Sequence, residues 1–215
     1  MDIIVGGGKY GCEAVEYLRK SNKSFILVDP NRNCLATKRY GFKLSSAISE
    51  TGEFFIQGDL PKAVELIEHL KSEYVFPTAP IHIVAEMAKI KFKLDPWGEA
   101  INDILPFLPA AIVLRAGRGN LIVSFNRDND CFEKCSAPEV CPSTKINKPC
   151  SMYRLMKYSC PNGFILTSHL MSPGMGAIQS SEILEFFEWA EQKEKFVVAT
   201  ACDCHGIFSG FTKKL

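Results

Sequence analysis

Four short apolar runs set the pattern of the first half of the chain. They are Ile3-Ile4-Val5, Phe25-Ile26-Leu27-Val28, Phe54-Phe55-Ile56 and Tyr74-Val75-Phe76. Runs with no polar alternation describe strands covered on both faces, as in a parallel sheet. Helical periodicity fills the gaps between them. After the first run, Ala14, Val15 and Leu18 share one face while Glu13, Glu16, Arg19 and Lys20 lie largely on the other. A second helix is predicted over about 32–40. Pro61 suits a helix start, and Ala63, Val64, Leu66, Ile67 and Leu70 form the apolar stripe of a third. A fourth helix is predicted from about Ile81 to Lys91. Strands alternating with helices in this way predict a parallel sheet joined by crossover helices.

The pattern changes near residues 94–108, where Pro96, Gly98 and Pro106 cluster. A domain boundary is placed here, giving one domain over 1–95 and a smaller α+β domain over 96–215. In the second, Ala111–Leu114 and Leu121–Phe125 flank Gly117-Arg118-Gly119, the signature of a hairpin with a glycine turn. Residues 128–162 are rich in Cys, Pro, Asn and Lys, with one helical run near Met152–Lys157. Phe164–Thr167 reads as a strand, Glu182–Glu191 as a helix, and Phe196–Thr200 as the last strand.

The first apolar run ends in Gly6-Gly7-Gly8-Lys9-Tyr10-Gly11, a G-x-G-x-x-G match between a strand and a helix. Asp29 closes the second strand at close to the expected interval of about 20 residues. In such a loop Gly6 permits the turn, Gly8 admits a pyrophosphate, and Gly11 lets helix and strand pack. The helix start, with Lys9 and Tyr10, offers free N–H groups to phosphate. Asp29 is suited to a ribose 2′-hydroxyl and would repel a 2′-phosphate. The expected fold of this half is a Rossmann-type sheet, and the expected small-molecule ligand is NAD in preference to NADP. Residues 1–92 resemble the NAD-binding domains of potassium-transport regulators, the TrkA/RCK-like family. The likeness rests on Val5–Gly11, Val28-Asp29 and Gly58-Asp59. It implies that Asp59 approaches the adenosine, while Leu60-Pro61 beside it equally mark Asp59 as a helix start. The remainder of the chain departs from that family.

Composition narrows the function class. A formal net charge of +1 offers no basic surface for nucleic acid. No run reaches the roughly 18 apolar residues of a membrane helix, and no secretory leader is evident. A cytoplasmic protein is expected, with a homodimer as the default assembly. Against that setting nine cysteines are many, since disulfides are rare in most cytosolic proteins. Seven of them lie between Cys131 and Cys204. Cys131-x3-Cys135-x5-Cys141-Pro142 is too widely spaced for a common zinc module and tolerates an iron–sulfur cluster better. The expected metal set is Cys131, Cys135 and Cys141 with the Cys202-Asp203-Cys204-His205 segment, for iron–sulfur or zinc. Cys150 and Cys160 are alternative fourth ligands, and buried free thiols, or disulfides in a thermophile, are the alternative for the whole group. A Cys-x-Cys pair needs a turn to bring both sulfurs to one side. This half also looks like a little-characterised family of anaerobic microbes, on Cys131, Cys135 and Cys141, then Ser168-His169 with Pro173-Gly174-Met175-Gly176, then Cys202, Cys204, His205 and Gly206. That likeness implies a shared site and no activity.

Other polar residues carry weaker signals. Ser168–Gly176 reads as a glycine-rich turn able to form an anion nest, with His169 as ligand, acid–base group or surface residue. His82 lies where a fourth-strand loop would approach a nicotinamide, or on a helix surface. Arg115, Arg118 and Arg127 flank the hairpin. The leading expectation is an NAD-dependent redox enzyme with a cysteine-ligated metal centre. Its rival is a sensor in which nucleotide reorients the two domains and the cysteine site is structural zinc or a redox thiol switch. A precorrin-dehydrogenase-like enzyme, which also begins with a strand and a glycine loop, ranks third.

Overall fold

In the computed structural model, which describes residues 1–42, 44, 49 and 51–214, the first apolar runs form strands in the expected places. They are β1 (Asp2–Val5), β2 (Phe25–Asp29), β3 (Glu53–Gln57) and β4 (Tyr74–Pro77). Helices α1 (Lys9–Lys20), α2 (Leu35–Tyr40) and α3 (Leu60–His69) connect them, and α4 (Ile83–Phe92) follows β4. β1 to β4 are mutually parallel, with β1 between β2 and β4 and β3 outside β2. The later elements are β5 (Leu94–Pro96), α5 (Gly98–Ile104), β6 (Val113–Gly117), β7 (Asn120–Ser124) and α6 (Met152–Ser159). Then come β8 (Phe164–Thr167), β9 (His169–Ser172), β10 (Met175–Gln179), α7 (Ser180–Glu191), β11 (Lys195–Ala201) and β12 (His205–Lys213).

Two differences from the sequence expectation shape the molecule. The first sheet is mixed, not purely parallel. Its order is β3-β2-β1-β4-β10-β9, and the last two strands run antiparallel to their neighbours. The segment expected to be a glycine-rich anion nest is therefore a hairpin. Gly174, at φ +81°, makes its turn in the left-handed region that glycine tolerates. The second correction is that Phe196–Thr200 is not the last strand. β12 follows it and occupies the middle of the second sheet, between β7 and β11. Its glycines disguise it in the sequence, yet they are what the position requires. A side chain at Gly206 would strike Met156, and one at Gly210 would come within 2.9 Å of Trp97 O and Ala100 Cβ. In the second sheet β8 and β11 are parallel, and the other neighbouring pairs are antiparallel.

The protein is thus mixed α/β with two mixed sheets. Alternate residues of each strand feed different cores. Ile4, Leu27 and Phe76 face α1 and α2. Ile3, Val5 and Ile26 face α3, α4 and α7, whose other side meets Val198, Phe196 and Phe211 of the second sheet. The far side of that sheet packs on α5 and α6. The central core draws on residues from both sides of the 95/96 boundary. No helix among the described residues is long and apolar enough to cross a membrane.

Candidate functional site

The glycine loop is built as the sequence suggests, with an added clamp. Gly6 (φ +110°) turns the chain out of β1, and Gly8 caps α1. A side chain at Gly11 would collide with Gly6 O, so the helix start lies directly on the loop. Gly8 faces open space. Asp29 already has work here: its carboxylate accepts Gly7 N–H at 2.6 Å and Asn31 N–H at 2.8 Å. Gly7 O in turn accepts Ala36 N–H, and Cys34 packs against Gly7. Asp59 is exposed at the start of α3 and makes no side-chain capping bond.

Chemistry collects elsewhere, in a cavity of about 520 Å³. It opens where β7, β8 and β11 run out, at Phe125-Asn126, Ser168 and Cys202. Sheets with parallel strands gather their sites at such carboxyl ends. All five cysteines expected to bind metal line it, namely Cys131, Cys135, Cys141, Cys202 and Cys204. The alternatives do not: Cys160 is buried in the core against the second sheet, and Cys150 is outside the wall. Of the residues expected to contact nucleotide, only Tyr10 reaches this cavity. Lys9, beside it, pairs with Glu133 of the cysteine loop at 2.7 Å.

The turn that a Cys-x-Cys pair needs is present. Cys202 N–H donates to His205 O at 3.0 Å and closes a tight loop between β11 and β12. The start of α6 holds that loop, with Met152 and Tyr153 N–H donating to Asp203 O and Cys202 O. Each of the five sulfurs has hydrogen-bond donors. Cys202 Sγ accepts Cys204 N–H and His205 N–H, both at 3.4 Å. Cys135 Sγ accepts Ala137 N–H at 3.4 Å. Cys141 is buried enough to disfavour a thiolate, but the Thr144 hydroxyl, the Thr144 and Ser143 N–H groups and the Lys148 charge outweigh this and hold its pKa below the ordinary thiol value. Cys131 Sγ accepts Asn126 Nδ2–H at 3.0 Å and lies 3.2 Å from His205 Nε2. Cys204 Sγ accepts from Lys148 Nζ at 3.3 Å, although burial still pushes that thiol up. Burial, with the nearby Lys148 charge, lowers the pKa of His205 from the ordinary imidazole value.

All nine cysteines are free thiols. The sulfurs ring the cavity rather than meet: among the described residues no three His, Cys, Asp or Glu groups stand at metal-binding separation. Two further wall atoms are enclosed without a partner, Asn126 Oδ1 and His169 Nε2. An orphaned buried polar group costs about 1–3 kcal/mol. Sequence reasoning missed Asn126 and Lys148, which sit in polar loops that carry no periodic signal. His82 lies neither on a helix surface nor in this cavity. It precedes α4, with its ring nitrogens on Ser209 Oγ (2.8 Å) and Thr200 Oγ1 (3.0 Å). Arg127 lies near the hairpin and donates to Ala110 O.

Comparison with known proteins fits this two-part construction. Family models for the N-terminal and C-terminal domains of an uncharacterised protein match residues 1–83 and 84–214. The chain belongs to this two-domain family. An uncharacterised protein of Archaeoglobus fulgidus is 46% identical over 99% of this chain and 100% of its own length. No solved structure matches. The family's division at 83/84 assigns all of α4 but its first residue, Ile83, to the C-terminal part.

Proposed function

We propose that this protein is a redox enzyme in which the cavity cysteines hold a thiophilic metal centre, foremost an iron–sulfur cluster, and the glycine loop holds NAD. The observation that carries the reading is the state of the five sulfurs. All line one cavity, and three of them (Cys135, Cys141 and Cys202) accept N–H groups from the backbone two or three residues further on. Hydrogen bonds of this kind tune a cluster's potential, and at Cys141 they favour the thiolate, which is the metal-binding form. Closure of the sulfurs around a metal would accompany metal binding, as it does in many small metal sites. A bound cluster would supply one-electron chemistry; the protein supplies ligands, position and exclusion of water.

Support for the nucleotide comes from the parallel β3-β2-β1-β4 order, which is that of a Rossmann-type half, and from the open approach to Gly8. The TrkA/RCK-like resemblance of this segment points the same way. NAD is preferred over NADP because Asp29 stands at the end of β2. Free thiols suit the reducing conditions of cytoplasm. Anaerobic purification with a visible spectrum and assays for iron, zinc and acid-labile sulfide tests the reading. Matching iron and sulfide, with bleaching of the spectrum by NADH, is the expected result. A colourless protein holding zinc would overturn the cluster, and absence of any metal would overturn the centre itself.

A sensor is the second reading, favoured by the Lys9–Glu133 pair that ties the glycine-loop helix to the cysteine loop. Nucleotide binding beside Lys9 would then be felt at Glu133. Loss of nucleotide effects on cysteine reactivity in Glu133→Gln would support it, and unchanged effects would remove it.

A further inference from the structure

We infer that the nicotinamide end of the nucleotide enters the cysteine cavity and that its carboxamide is held between Asn126 and His169. This rests on the proposed binding of NAD. Three buried side-chain atoms among the described residues lack a partner, and two of them, Asn126 Oδ1 and His169 Nε2, belong to residues that line this one cavity. Asn126 is only 5% exposed, and its orientation is set: its N–H donates to Ser124 Oγ and its Nδ2 to Cys131 Sγ. Oδ1 therefore has no donor from the protein. His169 opens β9 with its ring edge against Tyr74, and in the Nε2–H form it offers a donor. A primary carboxamide presents the matching pair, an NH₂ for Asn126 and a carbonyl oxygen for His169.

Position agrees with chemistry. Tyr10, two residues after the open Gly8, lines the same cavity, so a dinucleotide with its phosphates at the loop leads there. A volume of about 520 Å³ is within the usual range for small-ligand sites. The aromatic walls Phe125, Phe132 and Tyr153 suit a flat ring. The competing groove beyond β4, of about 440 Å³, lacks such an appetite. Its lining is mostly apolar, with Ala79, Ile178 and Ile207; His82 and Thr200 already satisfy each other, and its other polar residues, Ser168, Cys202 and His205, also line the cysteine cavity.

The test is calorimetric titration of the anaerobic protein with NAD⁺, ADP-ribose and nicotinic acid adenine dinucleotide, which carries a carboxylate in place of the carboxamide. The wild-type protein is expected to bind NAD⁺ about tenfold more tightly than the carboxylate analogue, the upper end of what one neutral hydrogen bond contributes. Asn126→Ala and His169→Phe are each expected to lose up to about tenfold in NAD⁺ affinity while keeping ADP-ribose affinity. Equal affinity of the wild type for NAD⁺ and the carboxylate analogue would overturn the seat while leaving NAD binding intact. So would equal losses for NAD⁺ and ADP-ribose in both variants. Failure of the wild type to bind ADP-ribose or NAD⁺ at all would overturn the nucleotide reading, and this inference with it. The analogue comparison needs no variant, so it stands even if Asn126→Ala disturbs the Cys131 loop.

Discussion

Asp29 has a structural role that its place in the sequence does not announce, and Asp29→Asn tests that role. The carboxylate accepts two backbone N–H groups, from Gly7 at 2.6 Å and Asn31 at 2.8 Å, one on each oxygen. Hydrogen bonds to a charged group contribute about 1.5–3 kcal/mol each. A carboxamide has one acceptor oxygen, so one of the two N–H groups would face an NH₂ instead. The other bond would survive but lose its charge assistance. Because Asp29 is partly exposed, water repairs some of the loss, and a net destabilisation of about 2 kcal/mol is expected. For a chain of this size each kcal/mol moves the melting temperature by about 2–4 °C, so a fall of about 4–8 °C is predicted. Differential scanning calorimetry should be run beside Asp59→Asn, because Asp59 is exposed and makes no capping bond. That control should stay within about 0.5 kcal/mol of the parent. If Asp29→Asn melts within 1–2 °C (roughly the noise of the assay) of the Asp59 control, the clamp does not stabilise the loop and the reasoning fails.

Further outcomes are expected at other positions. Burial, with Lys89 adding a smaller effect, lowers the pKa of His82 to about 3. A depressed histidine contributes stability above its unfolded pKa near 6.5 that is lost as pH falls toward the folded value, so about 2 kcal/mol should disappear by pH 5. Urea unfolding of wild type and His82→Asn at pH 7 and pH 5 measures this, and an equal pH effect in both proteins would refute it. Cys135→Ser should lose bound metal while Cys160→Ser, altered in the core, keeps it; equal metal content in the two would remove Cys135 from the ligand set. Gly174→Ala should cost about 1–3 kcal/mol, because φ is +81° and the new methyl would meet Glu133 O; an unchanged denaturation midpoint would count against this. Gly8→Val should leave the melting temperature near that of the parent, since nothing lies within 4 Å of the new Cβ, yet abolish nucleotide binding. Undiminished affinity would show that phosphates do not approach Gly8.

What the sequence displayed depended on whether a signal was local. β1 to β4 were legible because each is an unbroken apolar run, and α1 and α3 because their stripes repeat at helical spacing. The five cysteines stood out by their close spacing, although only folding brings residues 131–141 and residues 202–204 to one cavity. β9, β10 and β12 were hidden for a shared reason. Gly174 makes the β9–β10 turn and Gly176, Gly206 and Gly210 lie within β10 and β12; these glycines read as loop signals but serve close packing against Glu133, Ser168, Met156 and Trp97. Asp29 shows another limit, because an acidic residue ending β2 carries the same signal whether it meets a ribose or clamps a glycine. Asn126 and Lys148 act only through partners distant in sequence, so no spacing announces them.

The route of the chain between the sheets bears on which functional reading is mechanically sound. A sensor that works by reorienting two domains requires a hinge and two packings of similar free energy. Here β8 belongs to the second sheet and β9 to the first, with Ser168 alone between them. The β9–β10 hairpin then extends the first sheet beside β4, and the central core joins Ile3 and Val5 to Phe196, Val198 and Phe211. Separating the halves would expose that core and break the β4–β10 pairing, a cost far above what a small ligand's differential binding supplies. The two sheets are thus held in one packing, and the loops around residues 125–151 carry Asn126, Cys131, Cys135, Cys141 and Lys148. Any signal from nucleotide at the glycine loop must be local, through Tyr10 or the Lys9–Glu133 pair. Fixed sheets with a ring of donors around five sulfurs suit a site in which position matters more than motion, and they weigh toward catalysis at the cysteine cavity.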